Sequence, residues 1–364
     1  MTRGTRATVD CAALRHNLAV ARRSAPSARV IAVIKSNGYG HGLLPVARTL
    51  AADADAFAVT CLDEARPLRE AGLDQRIVLL EGVYEPAELA EAGALGADLV
   101  VHADWQVEVF ESAASGRPVD VWLKVDSGMH RLGFAPERVP DIHRRLAACG
   151  RVGEIRFMTH LARADDRDCG YTRDQLSAMD RACEALAGER SLANSAGTLA
   201  WPETHGDWVR PGIMLYGASP FCDGRPERPP LRPAMVLESR LVAVSQRRAG
   251  DLIGYGGTYT CPEPMPVGVV SIGYGDGYPR HAPSGTPVLV GGVRARTVGR
   301  VSMDMLCVDL RPCTQAREGE RVVLWGEGLP AEEVAEHAGT IAYELFCHVT
   351  ARVPMNYVDT EANG

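Results

Sequence analysis

Along the first 220 residues, short apolar runs alternate with longer amphipathic stretches, the rhythm of repeated β/α units. The first run, residues 30–34, is unbroken and mostly β-branched, as in a strand buried on both faces. Further runs at 56–60, 76–80, 97–102, 119–124, 153–160, 191–194 and 207–213 predict seven more strands. Helical spacing fills the gaps. Leu14, Leu18 and Ala21 share one face of 12–23, with Asp10 placed as its cap. Leu43, Val46, Ala47 and Leu50 share a face of 43–50, and 63–71 and 86–92 also read as helical. Eight such units predict a (β/α)₈ TIM-type barrel, although a doubly wound open sheet satisfies the same alternation. The Pro- and Gly-rich stretch 219–233 breaks the rhythm and divides residues 1–230 from 231–364. Beyond it, short valine-rich runs at 235–244, 267–272, 287–290, 295–298, 305–310 and 321–324 predict a smaller, mainly antiparallel β domain. One helical segment, 331–338, interrupts them.

Composition narrows the partners. A 364-residue chain with 46% hydrophobic and 23% charged residues has the make-up of a globular enzyme with room for two cores. A net charge of −7 gives no reason to expect nucleic acid or an anionic membrane. The first residues, Met1-Thr-Arg-Gly-Thr-Arg6, lack the apolar core of a signal peptide, so the expected location is cytoplasmic. Ten cysteines are scattered without metal-ligand spacing, which predicts free, mostly buried thiols and no metal.

In a barrel of this kind, function gathers at the C-terminal ends of the strands. Lys35 stands immediately after the first run, suited to forming a Schiff base with a carbonyl cofactor. A snorkelling surface lysine would occupy the same position. Lys124, Arg131, His160, Asn194, Ser195 and Arg210 follow later runs. Singly, His160 reads as a core histidine, Asn194-Ser195 as the cap of helix 196–201, and Arg210 as an interior ion-pair partner. Convergence on one rim is what argues for a site. Ser195 opens a helix, Arg210-Pro-Gly212-Ile213 offers a close backbone approach, and the Tyr39 hydroxyl can reach the same anion. A lysine, an arginine and a phosphate cradle together suit pyridoxal 5'-phosphate.

The segments Val33-Ile-Lys35-Ser-Asn-Gly-Tyr39-Gly-His-Gly, Leu123-Lys124-Val-Asp-Ser-Gly-Met-His-Arg131, Asn194-Ser-Ala and Val209-Arg210-Pro-Gly-Ile-Met-Leu-Tyr closely resemble alanine racemase. So do Gly254-Tyr255-Gly-Gly-Thr-Tyr, Ile272-Gly-Tyr274-Gly-Asp-Gly-Tyr and Gly299-Arg-Val-Ser-Met303-Asp304, and the resemblance runs from Val9 to Pro354. It implies that Lys35 holds the cofactor and serves as one of two acid/base groups. It implies that Tyr255, reaching in from the partner of a homodimer, is the other, with His160 as its relay. By the same resemblance Arg210 meets the pyridine nitrogen, Arg131 the substrate carboxylate, and Lys124 is carbamylated to orient Arg131. Met303 and Asp304 line the partner's pocket, and Tyr274 its access corridor. The implied reaction interconverts L- and D-alanine, for peptidoglycan or for catabolism. A serine or broad-specificity racemase, or a non-catalytic cofactor carrier, are the alternatives. Two positions depart from the family pattern: Ala351, where several members carry a phosphate-binding tyrosine, and Gly275, where alanine is common.

Overall fold

The eight apolar runs of the N-terminal part close on themselves. In a computed structural model, which describes residues 3–113, 116–221 and 229–360, they form strands β2 to β9 of a parallel barrel. These are β2 (Arg29–Val33), β3 (Ala56–Val59), β4 (Arg76–Leu79), β5 (Ala97–Val101), β6 (Val119–Lys124), β7 (Val152–Met158), β8 (Arg190–Ser191) and β9 (Trp208–Val209). β2 pairs with β9 through Arg29↔Trp208 and Val30↔Val209, so the sheet has no edge, and the open doubly wound alternative is excluded. Residues 222–228, inside the stretch expected to divide the domains, lie outside the described residues.

One strand departs from the expected division. Strand β1 (Arg6–Asp10) precedes the barrel but pairs antiparallel with β10 (Met235–Arg247) and parallel with Met355–Val358. It is therefore a strand of the second sheet, although it falls within 1–230. That second sheet has eight strands, antiparallel except at the β1 pairing with Met355–Val358. The strand Met355–Val358 is half-exposed, and no apolar run announces it. A second helix, Ala342–Cys347, joins the expected Ala331–Ala338. Helix α1 (Cys11–Ser24) begins where Asp10 accepts a hydrogen bond from the Ala12 N–H. The thiols correct another expectation: of the nine described free cysteines only Cys183, Cys261 and Cys313 are buried. Among the described residues no helix is long and apolar enough to cross a membrane.

The N-terminal end of the barrel is sealed by charge. Arg76, the first residue of β4, bridges Asp98 at 2.6 Å and Asp120 at 2.9 Å. Arg156 of β7 meets Asp120 at 3.1 Å and Glu189 at 2.9 Å, and the indoles of Trp122 and Trp208 donate to Asp98 and Glu189. Every buried charge in this plug has an opposite partner, as a dry interior demands. The opposite rim is arranged differently.

Candidate active site

Strand β2 ends at Val33, and the backbone beyond Lys35 then turns the wrong way for L-residues. Ser36, Asn37, Gly38 and Tyr39 all have φ between 51° and 61°, giving one turn of left-handed helix. For a non-glycine residue that conformation costs about 1–2 kcal/mol, so the surroundings must hold it. The Glu64 carboxylate accepts from Ser36 N at 2.7 Å and from Thr60 N at 2.8 Å, and Asn37 Oδ1 accepts from Leu43 N at 2.9 Å. The Tyr39 ring stacks on Tyr216 with centroids 4.7 Å apart, and the Tyr216 hydroxyl donates to Val33 O. Strain concentrated beside a lysine at a strand end is the signature of a site whose geometry is over-determined.

Around this turn the barrel rim gathers positive charge. Lys124 is the last residue of β6 and is buried; Arg210 follows β9 and is also buried. Arg210 donates to Ser191 Oγ at 2.6 Å and to the carbonyls of Thr159 and Leu192 at 2.5 and 3.3 Å, with no carboxylate among its partners. The side chains of Lys35, Lys124 and Arg131 make no hydrogen bond or ion pair among the described residues. Burial, and then the charges of Arg210, Arg131 and Lys35, lower the Lys124 ammonium from 10.5 to about 8, with Glu81 pulling weakly the other way. Burial and the same cations, Lys124 included, hold His160 well below the ordinary imidazole range, so it is neutral at pH 7. Burial alone lowers Arg210 to about 10.

Lys124 thus yields a stability prediction. The unfolded chain keeps its proton to about pH 10.5, whereas the folded apoprotein releases it near 8. Between those values the unfolded state binds more protons, so stability rises with pH across that window. Below pH 8 the whole cost, about 3 kcal/mol, is present. In carbon-dioxide-free buffer, where Lys124 is unmodified, Lys124→Met should therefore melt higher than the parent apoprotein at pH 7, with the gap closing towards pH 10. A gap independent of pH would contradict the assignment.

A second cluster lies on the same rim. Asn194 caps the helix Ser195–Ala200 by accepting from Gly197 N at 3.0 Å, and its amide donates to Leu161 O. Ser195 Oγ accepts from Gly212 N at 2.9 Å and from Met214 N at 3.3 Å, and Ile213 is fully buried beside them. A methyl group on Gly212 would sit 2.6 Å from the Tyr39 hydroxyl, so Tyr39, Ser195 and Gly212 share one small space. Arg131 stands exposed at the lip.

The structure keeps four of the expected residues away from these. Tyr255 is 69% exposed on the second domain, in a turn between glycines at φ 71° and 73°. Met303 and Tyr274 are exposed too, and Asp304 accepts from Arg352 at 2.7 Å. Tyr274 N donates to Ser302 O and Gly275 N to Met303 O, tying those segments together. At Gly275 a methyl group would lie 2.3 Å from Arg352 Nη1, the mobile end of a side chain.

Several supporting residues escape a reading of the sequence. Glu64 sits in the first turn of the helix Leu62–Glu70, where an acid reads as helix-dipole complementarity. Gln175 lies on the buried face of the helix Tyr171–Ala182, donating to His160 O at 3.0 Å and accepting from Ala162 N at 2.8 Å. A glutamine spaced on one helix face with Ala178, Met179 and Ala182 was the one available signal.

Comparison with known proteins identifies the family. Residues 9–220 match the family model of the alanine racemase N-terminal domain, and 234–357 that of the C-terminal domain. An alanine racemase of Halorhodospira halophila is 61% identical, over 99% of this chain and 100% of its own. A catabolic alanine racemase of Pseudomonas putida is 49% identical over 98% of this chain and 99% of its own. The crystal structure of the biosynthetic alanine racemase from Pseudomonas aeruginosa superposes with a TM-score of 0.95 at 49% identity, covering 98% of this chain and 100% of that one.

Proposed function

Because the chain belongs to the alanine racemase family, we propose that it interconverts L- and D-alanine with pyridoxal 5'-phosphate, as a homodimer whose sites are shared between subunits. The observation that carries this reading is the set of cations at the barrel mouth, Lys35, Lys124, Arg131 and Arg210, none held by a carboxylate. Such a donor set suits a ligand bearing a phosphate and a phenolate, together with a substrate carboxylate. The cradle beside it also fits. Tyr39, Ser195 and the backbone at Gly212 and Ile213 would hold the phosphate, with Asn194 fixing the Ser195 turn, and Lys35 would hold the cofactor carbonyl.

When bound, the cofactor withdraws electrons from the substrate Cα and so acidifies its proton. Racemisation then requires two groups on opposite faces of that carbon. Lys35 serves one face and Tyr255 of the partner subunit the other. A free phenol, with a pKa of ~10, is a poor base at neutral pH, so its proton needs a relay. His160, neutral at pH 7, would be the hydrogen-bond partner through which the tyrosine proton is relayed. Arg210, already committed to Ser191 and two carbonyls, would present a permanent positive charge to the cofactor's pyridine nitrogen and so disfavour its protonation. Arg131 takes the substrate carboxylate. The lowered basicity of Lys124 leaves more of the neutral amine that adds carbon dioxide, and the resulting carbamate would pair with Arg131. Met303, Asp304 and Tyr274 complete the partner's pocket and its access corridor.

Gly212→Ala would push the Tyr39 hydroxyl out of the cradle. Losing one charge-assisted hydrogen bond should weaken cofactor binding about tenfold, measured by absorbance titration. The function itself is tested by chiral analysis of L-alanine incubated with the cofactor-loaded protein. Enantiomers have equal free energy in water, so the mixture should reach equal L and D. A yellow protein that leaves L-alanine untouched but racemises L-serine would overturn the alanine assignment.

A further inference from the structure

We infer that Tyr357 is a positioning residue for Lys35, acting through the left-handed turn; the inference rests on the reading of Lys35 as the cofactor-bearing lysine. Tyr357 lies on the last strand, Met355–Val358, opposite Val9 of β1. Its hydroxyl crosses to the barrel and donates to His41 O at 3.1 Å. The approach is close: a methyl group on Gly42 would lie 2.2 Å from that oxygen, so the hydroxyl occupies space that the glycine leaves open.

His41 is the pivot between the second domain and the lysine turn. Its carbonyl takes Tyr357, while its ring Nδ1 donates to Tyr39 O at 2.8 Å, inside the left-handed run. The ring is fully buried, packed 4.6 Å from Tyr216 and edge-on to Phe346 at 5.0 Å. Its Nε2 has no partner among the described residues, so the imidazole is held by that single polar contact and by packing. The strained turn is thus anchored at its start by Glu64 on Ser36 and at its end by Tyr357 on His41. The Tyr357 hydroxyl hydrogen is committed to a carbonyl. Its role is therefore to hold the turn, and it does not stand in for the phosphate-binding tyrosine that several family members carry where this chain has Ala351.

Tyr357→Phe removes the hydroxyl and keeps the ring, and Tyr357→Leu removes both. In the apoprotein, amide hydrogen exchange across residues 36–42 should quicken several-fold in the Phe variant, further in the Leu variant, with the barrel strands unchanged. The cofactor dissociation constant should rise about three- to tenfold, with the melting temperature close to that of the parent. Unchanged exchange at 36–42 would overturn the inference, even with weakened cofactor binding, because it would mean direct contact with the cofactor. Exchange quickened uniformly over the chain would overturn it as well, showing a purely structural role. A Lys35→Ala protein that binds the cofactor like the parent would instead remove the premise, and the exchange data separate that case.

Discussion

Lys35→Ala should abolish racemisation and cofactor retention together while leaving the fold intact. The Lys35 side chain makes no hydrogen bond or ion pair among the described residues, and surface-like substitutions of that kind usually change stability by less than about 0.5 kcal/mol. The left-handed turn is held by Glu64, Asn37, His41 and Tyr216, none of which touches the removed amine through a hydrogen bond. Thermal melting should therefore match the parent. Turnover should fall at least ~10³-fold, because one substitution removes both the covalent anchor and one acid/base group. The variant should lose its yellow colour on dialysis. Full racemisation by this variant would mean that another lysine carries the chemistry, and Lys124 would be the next to test.

Tyr255→Phe has the second largest expected effect and a more specific signature. Removing one of two acid/base groups should lower racemisation by ~10²–10⁴-fold. Lys35 remains, so the enantiomer that presents its Cα hydrogen to Lys35 should still exchange it with solvent deuterium, without inversion. The other enantiomer should be inert. Equal loss of exchange for both enantiomers would mean that Tyr255 supports the site in some other way. Because Tyr255 is exposed and its side chain makes no hydrogen bond among the described residues, the fold should tolerate the change.

The contrast between the two ends of the barrel explains how much of the molecule was legible in the sequence. Seven of the eight barrel strands carry apolar residues because they are buried in the barrel wall, so the runs led to the strands; Arg190–Ser191 carries none and lies at the edge of the run at 191–194. The last two are only two residues long, Arg190–Ser191 and Trp208–Val209. There the apolar pattern continues past the ladder into buried rim loops at Leu192, Ala193 and Ile213, so the expected strands were too long. Strand β1 and Met355–Val358 pair across almost the whole chain, and nothing local in Arg6–Asp10 says which sheet it joins. The charged plug at the barrel floor was hidden for a related reason. Arg76, Asp98, Asp120 and Arg156 read as polar strand residues until closure of the barrel brings them together.

The candidate site divides in the same way. Lys35, Lys124, His160, Asn194 and Arg210 were legible because strand ends of a barrel converge on one rim. The left-handed turn after Lys35 was not. Glycine and asparagine hint at positive φ, but nothing marks Ser36 or Tyr39, whose conformation depends on Glu64 and Tyr216 from elsewhere in the chain. The proposed partnership of Lys35 with Tyr255 lies further still from local reading, since it would belong to an assembly of two chains.

That partnership is the central claim, and complementation tests it most directly. Inactive Lys35→Ala and inactive Tyr255→Phe proteins are mixed, dissociated and reassociated, and racemisation is measured. In a two-fold dimer with shared sites, each heterodimer holds one site with Lys35 from one chain and Tyr255 from the other. Random reassortment should then restore about one quarter of the parent activity, half the dimers being mixed and half their sites intact. No recovery from verified heterodimers would contradict the account, because a tyrosine acting within its own subunit leaves every site in the mixture broken.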